Sequence, residues 1–343
     1  MANPTSNPWD VTEDQFPATG SAAEQLGFLV HYAVLAASGH NTQPWLFGVS
    51  GNSLELFADR TRALPVVDPV DRALVISCGA ALFHLRIALR HFGYAGTIET
   101  FPDPKQPDLL ARVSFGQKRP PENEEQLLFA SIRKRRTNRM AFETREVPHT
   151  LLSSLDADAR QEGALLFIIE GDESRNALAD LIAEGDRTQA GDPRFRRELA
   201  AWLHPNRSRS RDGMPGYAFG FGDLFSYLGP LVIRTFDWGQ GKAAKDRQLA
   251  AGSPVLVILA TVEDSPPNWL AAGQALARVL LHARAENVWA SFLNQPIEVA
   301  TLRPKVKSLI QEAGVPQLVL RMGYGQEIKP TPRRSVREVL VDG

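Results

Sequence analysis

From residue 26 onward the apolar positions recur with helical spacing: Leu26, Leu29, Val30, Ala33, Val34 and Ala37 mark one buried stripe. Just before them, "SAAE" at 21–24 has capping-box spacing, with Ser21 able to cap the first turn and Glu24 able to reach back. The period then changes. "WLFGV" and "LELFA" flank "SGNS" at 50–53, which predicts a β-hairpin. A long apolar helix is expected over 79–94, followed by short strands "TIETF" and "ARVSF" on either side of a Pro-rich turn at 102–107. The polar, charged, Pro-containing "GQKRPPENEEQ" at 116–126 reads as a linker, so the halves are taken as 20–120 and 121–343.

Beyond the linker the pattern predicts a helix over 124–136, a strand "ALLFII" at 164–169 and a helix containing "RNALADLIAEGD". Residues 190–250 read as a long irregular stretch rich in Arg, Gly and aromatics. A β-prone run at 254–262, a helix "AGQALARVLLHARAENVW", a strand "QLVLRMGY" and a basic tail "KPTPRRSVREVL" complete the chain. Residues 1–19, broken by Pro4, Pro8 and Pro17, read as a mobile arm. One echo links the halves. Gly79, Ala81, Leu82 and Arg90 have the same mutual spacing as Gly273, Ala275, Leu276 and Arg284, at an offset of 194, which favours two related halves.

At 343 residues the chain is long for a single core, which agrees with that division. A net charge of -1 gives no general reason to expect nucleic acid or an anionic membrane. The single cysteine, Cys78, excludes an intramolecular disulfide and any multi-Cys metal site, as suits a reducing compartment. The first residues show no basic segment followed by an apolar one, and a cytoplasmic protein is the expectation.

Candidate chemistry is concentrated in arginines. "RKRRTNR" places Arg133, Lys134, Arg135, Arg136 and Arg139 within seven residues. Such a run can be a solvated face or a nucleic-acid contact. The hydroxyl of Thr137 inside it, the apolar Met140 and Phe142 after it, and the lack of basic charge elsewhere favour a single phosphate, which a guanidinium fork recognises well. "PTPRRS" adds Arg333, Arg334 and Ser335, and the two groups could converge on one phosphomonoester. There is no paired-carboxylate signature, no G-x-S-x-G elbow, no H-E-x-x-H helix and no histidine pair with metal-ligand spacing. No side chain offers itself as a nucleophile, a catalytic residue or a metal ligand. A cofactor would have to carry any reaction.

Four segments together resemble a known family. "LAASGHNTQPWLF" at 35–47 resembles the APSxxNxQPW signature of the FMN-dependent nitroreductase superfamily, and "RRTNRMAF" its other flavin motif. "NQPIEV" at 294–299 is similar to the segment that lies against the flavin ring, and "PTPRRS" to the phosphate-binding basic pair. The resemblance spans about 22–340 and is nearest to the Acg-like branch, whose chains contain two nitroreductase-like halves. It implies an α+β nitroreductase-like fold, with the two halves forming an intramolecular pseudo-dimer that acts as a monomer. The motif order implies one complete site: the first half gives the N-x-Q-P-W turn and the second gives the rest.

Through the resemblance, Arg135, Arg136, Arg333 and Arg334, with Thr137 and Ser335, are expected at the FMN phosphate, and Arg139 at the pyrimidine end of the ring. Ser38, Gly39 and Asn41 are expected at the ring edge and ribityl chain, Gln43 as a further cofactor-binding residue that like Pro44 also has a structural reading, and Gln295, Pro296, Ile297 and Glu298 beside the ring. Trp45 also has a simple reading as a core anchor. Residues 204–226, "HPNRSRSRDGMPGYAFGFGDLFS", have glycines and aromatics suited to a lid, or equally to a surface loop. The implied function is NAD(P)H-dependent reduction of nitro-aromatic or quinone-type acceptors. The alternative is an FMN-sequestering protein with little turnover. No nucleic-acid or membrane partner is expected.

Overall fold

The computed structural model describes residues 7–311 and 313–341. In the first half, Ser21 caps α1 (Ala22–Ala33), its hydroxyl accepting from the Glu24 amide, as the capping box predicts. The hairpin is β1 (Trp45–Ser50) and β2 (Ser53–Ala58). Helix α2 (Arg72–His91) begins seven residues earlier than its apolar run suggests. The first turn is fixed by the Asp68 carboxylate, which accepts from the Leu74 amide at 2.9 Å, and by Arg72, buried against the Gln317 carbonyl at 2.6 Å. Strands β3 (Tyr94–Thr100) and β4 (Leu109–Lys118) follow. Little of the expected linker is free: α3 (Asn123–Ile132) starts at once, and its Leu128, Phe129 and Ile132 join the core of the first half.

The second half contains α4 (His149–Gln161), β5 (Leu165–Ile168) and α5 (Asp172–Gly191). The expectation of an irregular 190–250 is corrected. It holds α6 (Pro193–Ala201), the short strands β6 (Leu203–His204) and β7 (Met214–Pro215), α7 (Asp223–Thr235) and α8 (Gly239–Ala251). The helices escaped notice because α8 lacks an apolar stripe and α7 turns its apolar side to solvent. Then come β8 (Val255–Thr261) and α9 (Pro266–Ala285), which stops before Trp289 because Asn287 takes a left-handed φ of 62°. Strand β9 (Trp289–Phe292), the short helices α10 (Gln295–Glu298) and α11 (Arg303–Leu309), β10 (Val315–Gly323), α12 (Val336–Val339) and β11 (Leu340–Val341) end the chain.

The halves share a topology. The first sheet runs β1-β2-β4-β3 and the second β5-β8-β10-β9, with antiparallel neighbours throughout and the long helix inserted at the same point. The main difference is between the first two strands, where the first half has a tight turn and the second has the excursion 169–254. Alternate residues of β8 and β10 face two cores, so both faces of the second sheet are covered and its strands read as continuous apolar runs. Helices α2 and α9 cross between the halves. By length and composition α2 could cross a membrane, but 89% of its apolar window is buried inside the protein.

Two segments tie the halves together. After β10 the chain returns to the first half, and β11 adds to its sheet in parallel with β1, pairing Leu340 with Phe47. At the other end, residues 7–19 correct the reading of a mobile arm. Trp9 and Val11 are buried, the Trp9 indole donates to the Thr331 carbonyl at 2.9 Å, and the Phe16 ring stacks on Phe92 at 4.1 Å. Residues 1–6 of that arm lie outside the described residues.

Candidate functional site

Between α1 and β1 the chain makes a turn that no ordinary sequence adopts without cause. His40, Asn41 and Gln43 take φ values of 46°, 56° and 52°, a left-handed backbone that costs a non-glycine residue roughly 1–2 kcal/mol. The turn is held from all sides. The Ser38 hydroxyl accepts from the Gln43 amide at 3.0 Å. Asn41 Nδ2 donates to the carbonyls of Gly213 (2.8 Å) and Pro332 (3.1 Å), and Gln43 Nε2 to that of Arg211 (2.9 Å). Gln43 Oε1 accepts from the Arg334 amide at 2.7 Å. Trp45 is fully buried in β1, which fits the core-anchor reading.

The arginine run meets this turn just after α3. A bridge of Thr137 to Ala290, and the Asn138 amide donating to the Ala290 carbonyl at 3.0 Å, fix it to β9. Arg135 is buried and donates to the Leu35 carbonyl at 3.2 Å. Arg333, also buried, donates through Nη1 to Asn41 Oδ1 at 2.8 Å and through Nη2 to the Ala36 carbonyl at 3.1 Å. The Arg136 guanidinium lies 4.3 Å over the Trp9 ring, and that of Arg333 lies 5.4 Å from the same ring. Two distant Arg-Arg groups therefore do contribute to one place, but through Arg135, Arg136 and Arg333.

Their charge is not paired with any carboxylate in direct contact. Among the described residues no carboxylate forms a salt bridge with Arg135, Arg136, Arg139 or Arg333, and buried Nε atoms of Arg135, Arg136 and Arg333 lack any partner. Burial, and then the neighbouring guanidiniums, push Arg333 well below its ordinary value. Burial and Arg136 push Arg135 down to about 10. Burial alone does the same to Arg139, which Asp246 partly opposes. Buried donors are normally satisfied, so this set suits a multivalent anion such as a phosphate monoester. They border a cavity of about 250 Å³, whose wall also includes Thr137, Arg139 and Met140.

Other expected residues lie elsewhere. The Arg334 guanidinium is used on the carbonyls of Gln43 (3.0 Å) and Glu338 (2.6 Å) and on Asp59 (3.3 Å), and so locks the turn instead of facing the cavity. The Ser335 hydroxyl bonds Glu338 at 2.6 Å in the capping box of α12. Gly39 is exposed on the far side of the turn, its amide donating to the Ser77 hydroxyl at 3.4 Å. Gln295 to Glu298 do not line the arginine cavity. Gln295 Nε2 donates to Asp246 (2.9 Å) and Asp186 (3.2 Å), both of which also hold the Lys242 ammonium. Burial raises the Asp186 carboxyl against the pull of Lys242. Pro296 and Ile297 are buried, and Glu298 accepts from Gln189 at 2.6 Å. Burial, then the charges of Arg139 and Lys242, push the His40 imidazole down to about 4.

Several wall residues were not foreseen. Ile328, Lys329 and Thr331 reach the cavity from the tail, one turn ahead of the basic pair, and Trp9 roofs two arginines from the supposed arm. A tryptophan set in a polar, Pro-rich stretch was the available signal.

Part of 204–226 covers this region. Tyr217 and Ala218 form one wall of the cavity, and the Tyr217 hydroxyl donates to the Pro330 carbonyl at 2.8 Å. Phe219 lies 4.8 Å from the Arg139 guanidinium, which also reaches Met214 Sδ at 3.5 Å. Arg62 pairs with Asp212, and the Gly213 amide donates to the Asn41 carbonyl at 3.2 Å.

No family model matches the chain. It is 32% identical over 324 residues to "Putative NAD(P)H nitroreductase Rv3131" of Mycobacterium tuberculosis, covering 93% of this chain and 91% of that one. It is 27% identical over 339 residues to "Putative NAD(P)H nitroreductase acg" of the same organism, covering 94% and 97%. Among solved structures, the FMN and NADPH-dependent nitroreductase NfnB of a Sphigopyxis strain superimposes with a TM-score of 0.43 at 20% identity, over 63% of this chain and 98% of that one.

Proposed function

The chain belongs to the NAD(P)H nitroreductase family, and on that premise we propose that it is an oxidoreductase binding one FMN per chain at the arginine cavity. The observation that carries this reading is the group of three guanidiniums, Arg135 and Arg333 buried and Arg136 half-buried, that have no carboxylate partner among the described residues and border one cavity. They fit the FMN phosphate, which carries about -1.5 to -2 charge near neutral pH. Arg135, Arg136 and Arg333 would hold that phosphate, with the Thr137 hydroxyl as a further donor. Arg139 would place a positive charge deeper in the site. Asn41 and Gln43 fix the shape of the wall, and Arg334 holds Gln43 in turn. When bound, the flavin supplies two-electron transfer from NAD(P)H to an acceptor, for which nitro-aromatics and quinones are the proposed class. Residues 295–298 do not border the cavity, and Gln295 is tied to Asp186 and Asp246 beside Lys242.

A second reading has its own support. The wall formed by Tyr217 and Ala218 is tied down at several points, which favours a covered flavin that turns over slowly, as in storage. The test is to titrate flavin-free protein with FMN and then add NADPH without oxygen. One equivalent of FMN bound and bleached within seconds, and recovered on adding menadione, supports the oxidoreductase. FMN bound but not bleached supports storage. No FMN binding overturns both.

A further inference from the structure

Trp9 is closed into a loop with each of two cavity arginines. It sits in a single 3-10 turn, Pro8–Asp10, where its amide donates to Asn7 Oδ1 at 3.3 Å. Its carbonyl accepts from the Arg133 guanidinium, the Arg133 carbonyl accepts from Arg136 Nη1 at 2.6 Å, and the Arg136 guanidinium lies 4.3 Å over the Trp9 ring. On the other side its indole Nε1 donates to the Thr331 carbonyl at 2.9 Å. The Thr331 hydroxyl accepts from Arg333 Nη1 at 2.6 Å, and the Arg333 guanidinium lies 5.4 Å from the same ring. Trp9 is buried and is not part of the cavity wall, so it acts on a bound group only through these arginines.

We propose that Trp9 is a positioning residue for a phosphate monoester, its indole holding the Arg136 and Arg333 guanidiniums ready for the anion. This rests on the reading of the cavity as a flavin phosphate site. The arginines need such a device. Arg135 and Arg136 act on Arg333 with like charge, and no carboxylate among the described residues pairs with any of the three. Like charges this close repel one another. A carboxylate in the place of Trp9 would hold them, but it would occupy their donors and repel a phosphate. An indole attracts cations through its electron-rich face and carries no charge of its own. A guanidinium stacked on a ring keeps the donors at its edge free for an anion. Side chains held in advance also lose less freedom when the anion binds.

Anchoring the N-terminal segment does not by itself call for these loops. Trp9 joins the core of the first half, but Val11 is buried too, the Phe16 ring stacks on Phe92 at 4.1 Å, and Glu13 reaches His91 at 2.8 Å. The segment is thus held without the two cation contacts. What Trp9 adds is a tie from the first half to Arg136 and Arg333, both of which follow the first sheet in the chain.

The test compares the dissociation constants of FMN and riboflavin on flavin-free full-length protein. Trp9→Leu keeps apolar bulk but removes the ring and its donor. It should weaken FMN by about twofold to thirtyfold, the range of a cation–π contact, and leave riboflavin as in the parent. Trp9→Phe restores a weaker ring without the donor and should fall between the two. It also carries the test if circular dichroism shows the leucine variant unfolded. In an Arg136→Ala background, Trp9→Leu should cost FMN a smaller factor than in the parent chain, because one of its two cations is gone. Equal losses for FMN and riboflavin in a folded variant, or no loss of FMN, overturn the proposal and leave the flavin reading standing. So does an undiminished effect in the Arg136→Ala background. A parent that binds neither flavin overturns both.

Discussion

Gly79 in α2 and Gly273 in α9 touch backbone to backbone where the two halves cross. A Cβ on Gly79 would stand 2.2 Å from the Leu270 carbonyl oxygen and 3.0 Å from the Gly273 Cα, and one on Gly273 would stand 2.0 Å from the Ile76 oxygen. The 194-residue echo in the sequence is therefore a contact in space, with each glycine serving as the other's clearance. Gly79→Ala or Gly273→Ala forces the helices apart and should destabilise the chain by at least about 1–3 kcal/mol, read as a lower urea midpoint. The double variant should be worse than either single one, because both clashes are with backbone oxygens. An unchanged midpoint would mean that the helices part freely.

The arginines separate by what they touch. Arg135→Ala or Arg136→Ala should weaken FMN binding by about tenfold to a hundredfold, since a charge-assisted bond is worth about 1.5–3 kcal/mol. Riboflavin, which lacks the phosphate, should bind to them as it does to the parent. Arg334→Ala should behave differently. It frees the Gln43 carbonyl and strands Asp59, so it should lower the unfolding midpoint and weaken FMN and riboflavin alike. Equal losses for both flavins in Arg135→Ala would show that this residue is only structural.

How far the sequence could be read follows from the range of the forces. The capping box at Ser21, the 51–52 turn and the alternating strands are local, and their chemistry lies in neighbouring residues. The position of Arg334 was not legible, because in "PTPRRS" both arginines look alike and only the return of β11 to β1 turns one toward the cavity and the other toward Gln43. The same crossing makes Ser335 a helix cap. Helix α7 was missed for a related reason: an outward apolar face gives no inward stripe to detect.

Buried neutral histidines set the acid limit. Burial pushes His31 and His40 down to about 4 and His84 to about 3, against an ordinary value near 6.5. The unfolded chain then binds more protons than the folded one between about pH 6.5 and 4. Stability is full above pH 6.5 and falls as the pH drops through that window. His282, raised chiefly by its hydrogen bond to Asp158, acts in the opposite sense and is lost above its ordinary value. The three outweigh the one, so the urea midpoint should fall from pH 7 to 4.5. His84→Gln should flatten that slope by about one proton. A midpoint that rises on acidification would mean these histidines are charged in the fold.

Tyr217 is the test of the cover. Its ring walls the cavity, its hydroxyl bonds the Pro330 carbonyl, and the segment around it is joined to the turn at Asn41. Tyr217→Phe removes only the hydroxyl bond, worth about 1 kcal/mol, and so should raise the open fraction of the wall about fivefold. If the wall limits access, the FMN-loaded variant should be reduced by dithionite about fivefold faster, and should release FMN faster by a similar factor. Tyr217→Ala removes the wall itself and should exceed both. Thermal midpoints should change little, because the segment lies at the surface of its own small cluster around Phe195 and Met214. Reduction and release rates equal to the parent in both variants would mean that the flavin is reached from another side, and that 204–226 is scaffold rather than cover.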